Sequence, residues 1–192
     1  MKLEDVNWKP AKIGGALFVT NKFELKNEAT LIIGPSDFFK IVVPIVVMLL
    51  STIPFLSNII FQKSPSLIII LVVVCFDIIM LIVYLKGLKV VELNKKNDTV
   101  KKGFSVKTAK IVSKISQIEI IQIIEEPVPN KQNYSLSFSY EINLVFNDQT
   151  RLNLTDHSVH SSILDNVKIL KQFIRCPIYT RKHETNEIIE VV

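Results

Sequence analysis

From Leu67 to Leu85 the chain reads LIIILVVVCFDIIMLIVYL, nineteen residues with one charge, Asp77. A second apolar stretch precedes it, Phe38 to Phe61, and from Ile41 to Phe61 it holds no charge over 21 residues. At 1.5 Å per residue that is roughly 30 Å of helix, the thickness of a bilayer's hydrocarbon core. Gln62-Lys63-Ser64-Pro65-Ser66 lies between them and suits a tight polar turn. The pair reads as a transmembrane hairpin with spans 38–61 and 67–85. A helical hairpin buried inside a protein is the alternative, disfavoured because both stretches are apolar on all faces. The first stretch starts too late and runs too long for a cleavable signal peptide. Pro44 and Pro54 inside it remove backbone donors, which predicts that this helix packs against protein.

Working outward, lysines flank the hairpin. Lys2, Lys9, Lys12, Lys22, Lys26 and Lys40 precede it; Lys86, Lys89, Lys95, Lys96, Lys101 and Lys102 follow; the turn carries only Lys63. The positive-inside rule then predicts both termini in the cytoplasm and a multi-pass protein of a bacterial inner (plasma) membrane. The net charge of +5 over 192 residues reads as a topological marker. Lysine outnumbers arginine twenty to three, and without a recognition motif nucleic acid is not an expected partner. Cys75 and Cys176 are not expected to form a disulfide in that compartment.

Beyond Leu85 the period changes. Tyr134, Leu136, Phe138, Tyr140, Ile142, Leu144 and Phe146 alternate with polar residues, the mark of a half-buried strand. Asn147-Asp148-Gln149 supplies a turn, and Leu152 and Leu154 continue the alternation as a hairpin. Strands are also predicted over 88–93, 100–104, 108–115 and 117–126, the last rich in β-branched isoleucine and broken by Pro127-Val128-Pro129-Asn130. Asp156 or Ser158 can cap a helix on which Ile163, Val167, Leu170 and Ile174 share one face, ending before Pro177. Residues 16–34 hold too many apolar side chains for a solvated tail and are expected to add strands, with Gly14-Gly15 and Asn27-Glu28 as breaks.

Two spans, then a meander closed by one helix, resemble bacterial two-span membrane proteins with a pleckstrin-homology-like domain. The carrying residues are Tyr140–Phe146, Thr150–Leu154 and Gln172–Ile178. The arrangement is also similar to that of photosystem I assembly proteins, and Trp8-x-Pro10 with Gly14-Gly15-x-x-Phe18 resembles the opening of uncharacterised two-span proteins. The expected fold is α+β: a transmembrane hairpin plus a pleckstrin-homology-like antiparallel sheet or partial barrel closed by a C-terminal helix. Its parts are an N-terminal segment (1–37), the hairpin (38–85), the sheet domain (86–180) and a charged tail (181–192). In eukaryotic relatives of that fold, a basic loop between the first two strands holds phosphoinositide headgroups. The resemblance carries this onto Lys95, Lys96, Lys101 and Lys102. Yet a seven-residue strand carries that loop roughly 20 Å outward, where attraction to the leaflet is largely screened.

No enzyme signature stands in the chain, and neither catalytic residue, cofactor nor metal is expected. His157 and His160, with Asp156, have a spacing that could share a helix face and hold a metal, but a polar helix start explains them. Cys176 has no motif that pairs it with a histidine as a nucleophile. Asp77 has two readings, an intramembrane functional site or a protonated carboxyl bonded to Ser51, Thr52 or a backbone carbonyl. The expected function is a non-enzymatic, membrane-anchored interaction or assembly module, with the bilayer and a protein partner or second copy as partners. The alternatives are an anionic-lipid sensor using the lysine loop and a small subunit of a transport complex using Asp77.

Overall fold

The computed structural model describes residues 2–10, 19–61, 67–129, 136–183, 185 and 187–191. Among the described residues two five-stranded sheets and three α-helices make up an α+β fold. Strands β1 (Asn21–Asn27) and β2 (Thr30–Pro35) form a hairpin, with the Asn27 side chain accepting from the Ala29 N–H in the turn. Helices α1 (Asp37–Phe61) and α2 (Leu67–Gly87) follow, then β3 (Val90–Asn94), β4 (Thr99–Gly103) and β5 (Lys110–Ser113). The first sheet runs β1-β2-β3-β4-β5, antiparallel throughout. Since β2 pairs directly with β3, Leu31 opposite Leu93 and Ile33 opposite Val91, the helical hairpin is an insertion between two neighbouring strands.

The second sheet contains β6 (Ile118–Pro129), β7 (Leu136–Phe146), β8 (Arg151–His157), β9 (Ile178–Arg181) and β10 (Ile188–Glu190), with α3 (His160–Phe173) between β8 and β9. Its order is β10-β9-β6-β7-β8, and β9 runs parallel to β6. Alternation places Leu31, Ile33, Leu93 and Val100 of the first sheet in one core with Ile121, Ile123, Ile142 and Leu144 of the second. Ile163, Val167, Leu170 and Phe173 complete that core from α3, spaced three and four apart as one helical face requires. Asp98 and Gln149 take positive φ at the β3–β4 and β7–β8 turns.

Several expectations are corrected here. Two membrane spans, 38–61 and 67–85, were predicted. Among the described residues no helix is long and apolar enough to cross a membrane. The transmembrane hairpin and the multi-pass, inner-membrane placement with both termini cytoplasmic are therefore not supported. The polar turn predicted at Gln62–Ser66 lies outside the described residues, as do Gly14-Gly15 and Tyr134. In place of a partial barrel closed by a final helix there are two sheets, and the chain continues past α3 into β9 and β10.

Local readings change as well. Pro127 and Pro129 do not break β6; they pair with Phe138 and Leu136 of β7. Strand β9 accompanies β6 only from Ile121 to Ile124, so the prolines lie where β6 has no ladder on its other side to lose. Neither Asp156 nor Ser158 caps α3. The N-cap is Val159, without a side-chain bond; Asp156 accepts from Ser139 Oγ at 2.9 Å instead.

Candidate interaction surfaces

Three places bear on binding: the lysine turn, the helical hairpin and the outer face of the second sheet. The turn is built tightly. Lys95 N–H donates to the Ala29 carbonyl at 2.8 Å, and the Asp98 carboxylate receives both the N–H (2.8 Å) and the hydroxyl (2.6 Å) of Ser116. Those bonds hold the Asp98 carboxyl below its ordinary range. The four lysines do not converge on one pocket. Lys101 and Lys102 alternate along β4, which sends them to opposite faces. Lys101 pairs with the buried Glu92 at 3.5 Å, and Lys95 Nζ lies 4.3 Å from the centre of the Phe173 ring. Lys96 stands exposed on the turn.

In the hairpin, each helix turns one stripe to the other. Val43, Val47 and Ser51 of α1 are half-buried, as are Ile70, Val73, Asp77, Met80 and Tyr84 of α2. The Ser51 hydroxyl contacts both the Val47 carbonyl and Asp77 Oδ1, so Asp77 is held in the seam by the partner helix. Near the body, the Phe39 and Tyr84 rings stack at 5.7 Å and Tyr84 Oη donates to the Lys40 carbonyl. A Cβ at Gly87 would overlap the Phe39 ring, so a larger residue there requires that ring to shift. A groove of about 590 Å³ runs along the seam, apolar except at Ser51, Thr52, Asp77 and Tyr84. Outside the seam the side chains are apolar and exposed: Met48 is 61% exposed, Ile68 73% and Val72 63%.

The third surface was missed by sequence reasoning. Gln122, Glu141 and Asn143 alternate with core residues on β6 and β7, and Asn143 and Gln122 are fully buried. Asn143 Nδ2 donates to Gln122 Oε1 at 3.2 Å and to Glu141 Oε1 at 2.6 Å. Their cover is the N-terminal segment, whose first turn is a 3-10 helix over Leu3–Asp5. Val6 and Trp8 pack on Ile120 and Val145 in a second, smaller apolar cluster. Gln122 Nε2 donates to the Asn7 carbonyl at 2.9 Å; Arg151 Nη1 donates to the carbonyls of Asn7 (2.9 Å) and Lys9 (2.8 Å). The signal in the sequence was small: the only tryptophan of the chain, two residues after a valine, in an otherwise charged opening.

His157 and His160 do not share a helix face. His157 ends β8, fully buried, its Nδ1 accepting from the Val159 N–H at 3.2 Å. His160 opens α3 and packs at a tilt against Tyr140, ring centres 4.9 Å apart. Among the described residues no group of histidine, cysteine and carboxylate side chains could hold a metal ion. Burial pushes the His157 imidazole below its ordinary value and the Cys176 thiol up to about 11, which keeps the Cys176 thiol protonated at neutral pH. Both cysteines are free thiols. No family model matches the chain, and no curated protein matches it either.

Proposed function

We propose that the protein is a non-enzymatic interaction module: a two-sheet body carrying an apolar helical hairpin as its attachment point, with lipid acyl chains as what the hairpin attaches to. One observation supports this above the others. Ile68, Ile69, Leu71, Val72, Val74, Phe76, Ile78 and Ile79 are all exposed large apolar side chains. At 100° per residue they surround α2 outside its seam. A protein surface covers a stripe, whereas acyl chains cover every free side at once. Apolar area on this scale, exposed to water, is a liability that monomeric proteins rarely carry. The lysines support the lipid-sensor alternative less well, because Lys101 and Lys95 already have intramolecular partners.

Flotation of the purified full chain with vesicles tests the reading. Binding to neutral phosphatidylcholine vesicles, persisting in 0.5 M salt, is the expected result. A chain that floats only with anionic vesicles and is released by salt contradicts it in favour of the lysine turn. A chain that stays unbound as a discrete oligomer contradicts it in favour of self-association.

A further inference from the structure

We infer that the outer face of the second sheet is a peptide-recognition surface, and that the N-terminal segment is its displaceable, intramolecular occupant. The inference is independent of what covers the hairpin. It rests on how the segment is held. Gln122 and Arg151 make their bonds to main-chain carbonyls, those of Asn7 and Lys9. Donors that read carbonyls accept any extended chain of suitable path and ignore its side chains. Selectivity then comes from the two side chains that sink into the sheet, Val6 and Trp8, at 5% and 8% exposure. Backbone bonds for affinity and alternate side chains for specificity is the division of labour by which extended peptides are recognised.

The seat is preformed beneath the segment. Gln122 is oriented by Asn143, and Asn143 by Glu141, so the carbonyl-reading amide does not need to reorganise. The segment itself is weakly integrated. It forms one short 3-10 turn, belongs to neither sheet ladder, and packs in an apolar cluster separate from the main core. Such elements open at low cost relative to the rest of a fold. Beside it lies a cavity of about 330 Å³ where Trp8, Lys9 and Pro10 meet Glu125, Glu126 and Arg181. The occupant we assign from outside the chain is therefore an extended peptide of a protein partner with an apolar residue, any residue and then an aromatic residue.

Trp8 makes the test direct, because it is the chain's only tryptophan. A ten-residue peptide of the chain's own opening, Met1–Pro10 carrying Trp8→Phe, is titrated into the native full chain while emission is excited at 295 nm. Displacement is expected to shift the Trp8 emission to the red with saturation, and a scrambled peptide is expected to leave it unchanged. In parallel, a fluorescein-labelled Met1–Pro10 peptide is expected to bind the full-length Trp8→Ala chain at least tenfold tighter than the native chain. Adding Arg151→Met, which removes the Nη1 that donates to both carbonyls, is expected to reverse most of that gain. Equal affinity for native and Trp8→Ala chains, or an emission that does not move at saturating peptide, overturns the inference. Dimerisation of the Trp8→Ala-sensitive kind, through exchange of N-terminal segments, overturns the assignment to a separate partner.

Discussion

The body and the hairpin are made of the same residues and treat them in opposite ways. In the body Leu31, Leu93, Ile121, Leu144 and Leu170 are buried to 2% exposure or less, each on an alternating strand or one helical face. In the hairpin Leu49, Ile53, Leu71 and Ile79 stand more than half exposed. Leucine and isoleucine are denser in the hairpin, and periodicity decides where they point: a period of two or 3.6 directs apolar side chains to a single side, and a continuous run directs them everywhere. The body satisfies its apolar side chains internally, and the hairpin leaves its own to something outside the chain.

That contrast can be broken from the body side first. Leu170→Ala, which empties a fully buried site facing both sheets, is expected to cost about 2–5 kcal/mol in urea denaturation. An equivalent cut in the hairpin, Ile79→Ala, is expected to change stability by no more than about 0.5 kcal/mol without lipid, since the side chain has little to lose. Similar costs at the two positions would mean that the hairpin is packed and not free.

A smaller effect sharpens the contrast within the second sheet. Asn143→Ala leaves Gln122 and Glu141 buried without a shared donor and is expected to cost about 1–3 kcal/mol, although its side of the strand reads as polar surface. A cost near zero would show that the N-terminal cover is not closed in solution.

The smallest effect is a pH dependence. Burial lowers the His157 pKa below 6.5 in the folded chain, so the unfolded chain binds the proton more readily. The stabilising contribution is complete above pH 6.5 and is lost as pH falls through the interval below it. His157→Asn should flatten the stability profile across that interval in urea titrations at stepped pH. An unchanged profile would assign the dependence to other groups.

Much of the body was legible. The run at 136–146 lies on β7, the isoleucines from 118 onward lie on β6, and Ile163, Val167 and Leu170 share the buried face of α3. These signals are local, so one sequence window carries them. What was not legible depends on partners distant in the chain. Glu141 and Asn143 read as a water-facing side because polarity at alternate positions normally means water. Their cover comes from Asn7, 115 residues from Gln122. Pro127 read as a stop because a window does not reveal that β6 outruns β9. His157 read as a helix-start residue because the boundary between β8 and α3 is set by packing and not by a capping side chain. At the hairpin, composition alone was turned into a crossing, and among the described residues no helix is both long and apolar enough to make one.

Two free thiols allow the central claim to be tested in one reaction. Cys75 is exposed on α2, and Cys176 is half-buried, with its thiol pKa pushed up to about 11. Labelling by a charged, water-soluble maleimide at pH 7 is followed with and without phosphatidylcholine vesicles. The account predicts that Cys75 reacts readily without lipid and at least tenfold more slowly with it, while the half-buried Cys176 reacts more slowly than Cys75 and at a rate that vesicles leave unchanged. A Cys75 rate unchanged by vesicles would contradict the assignment of acyl chains to the hairpin.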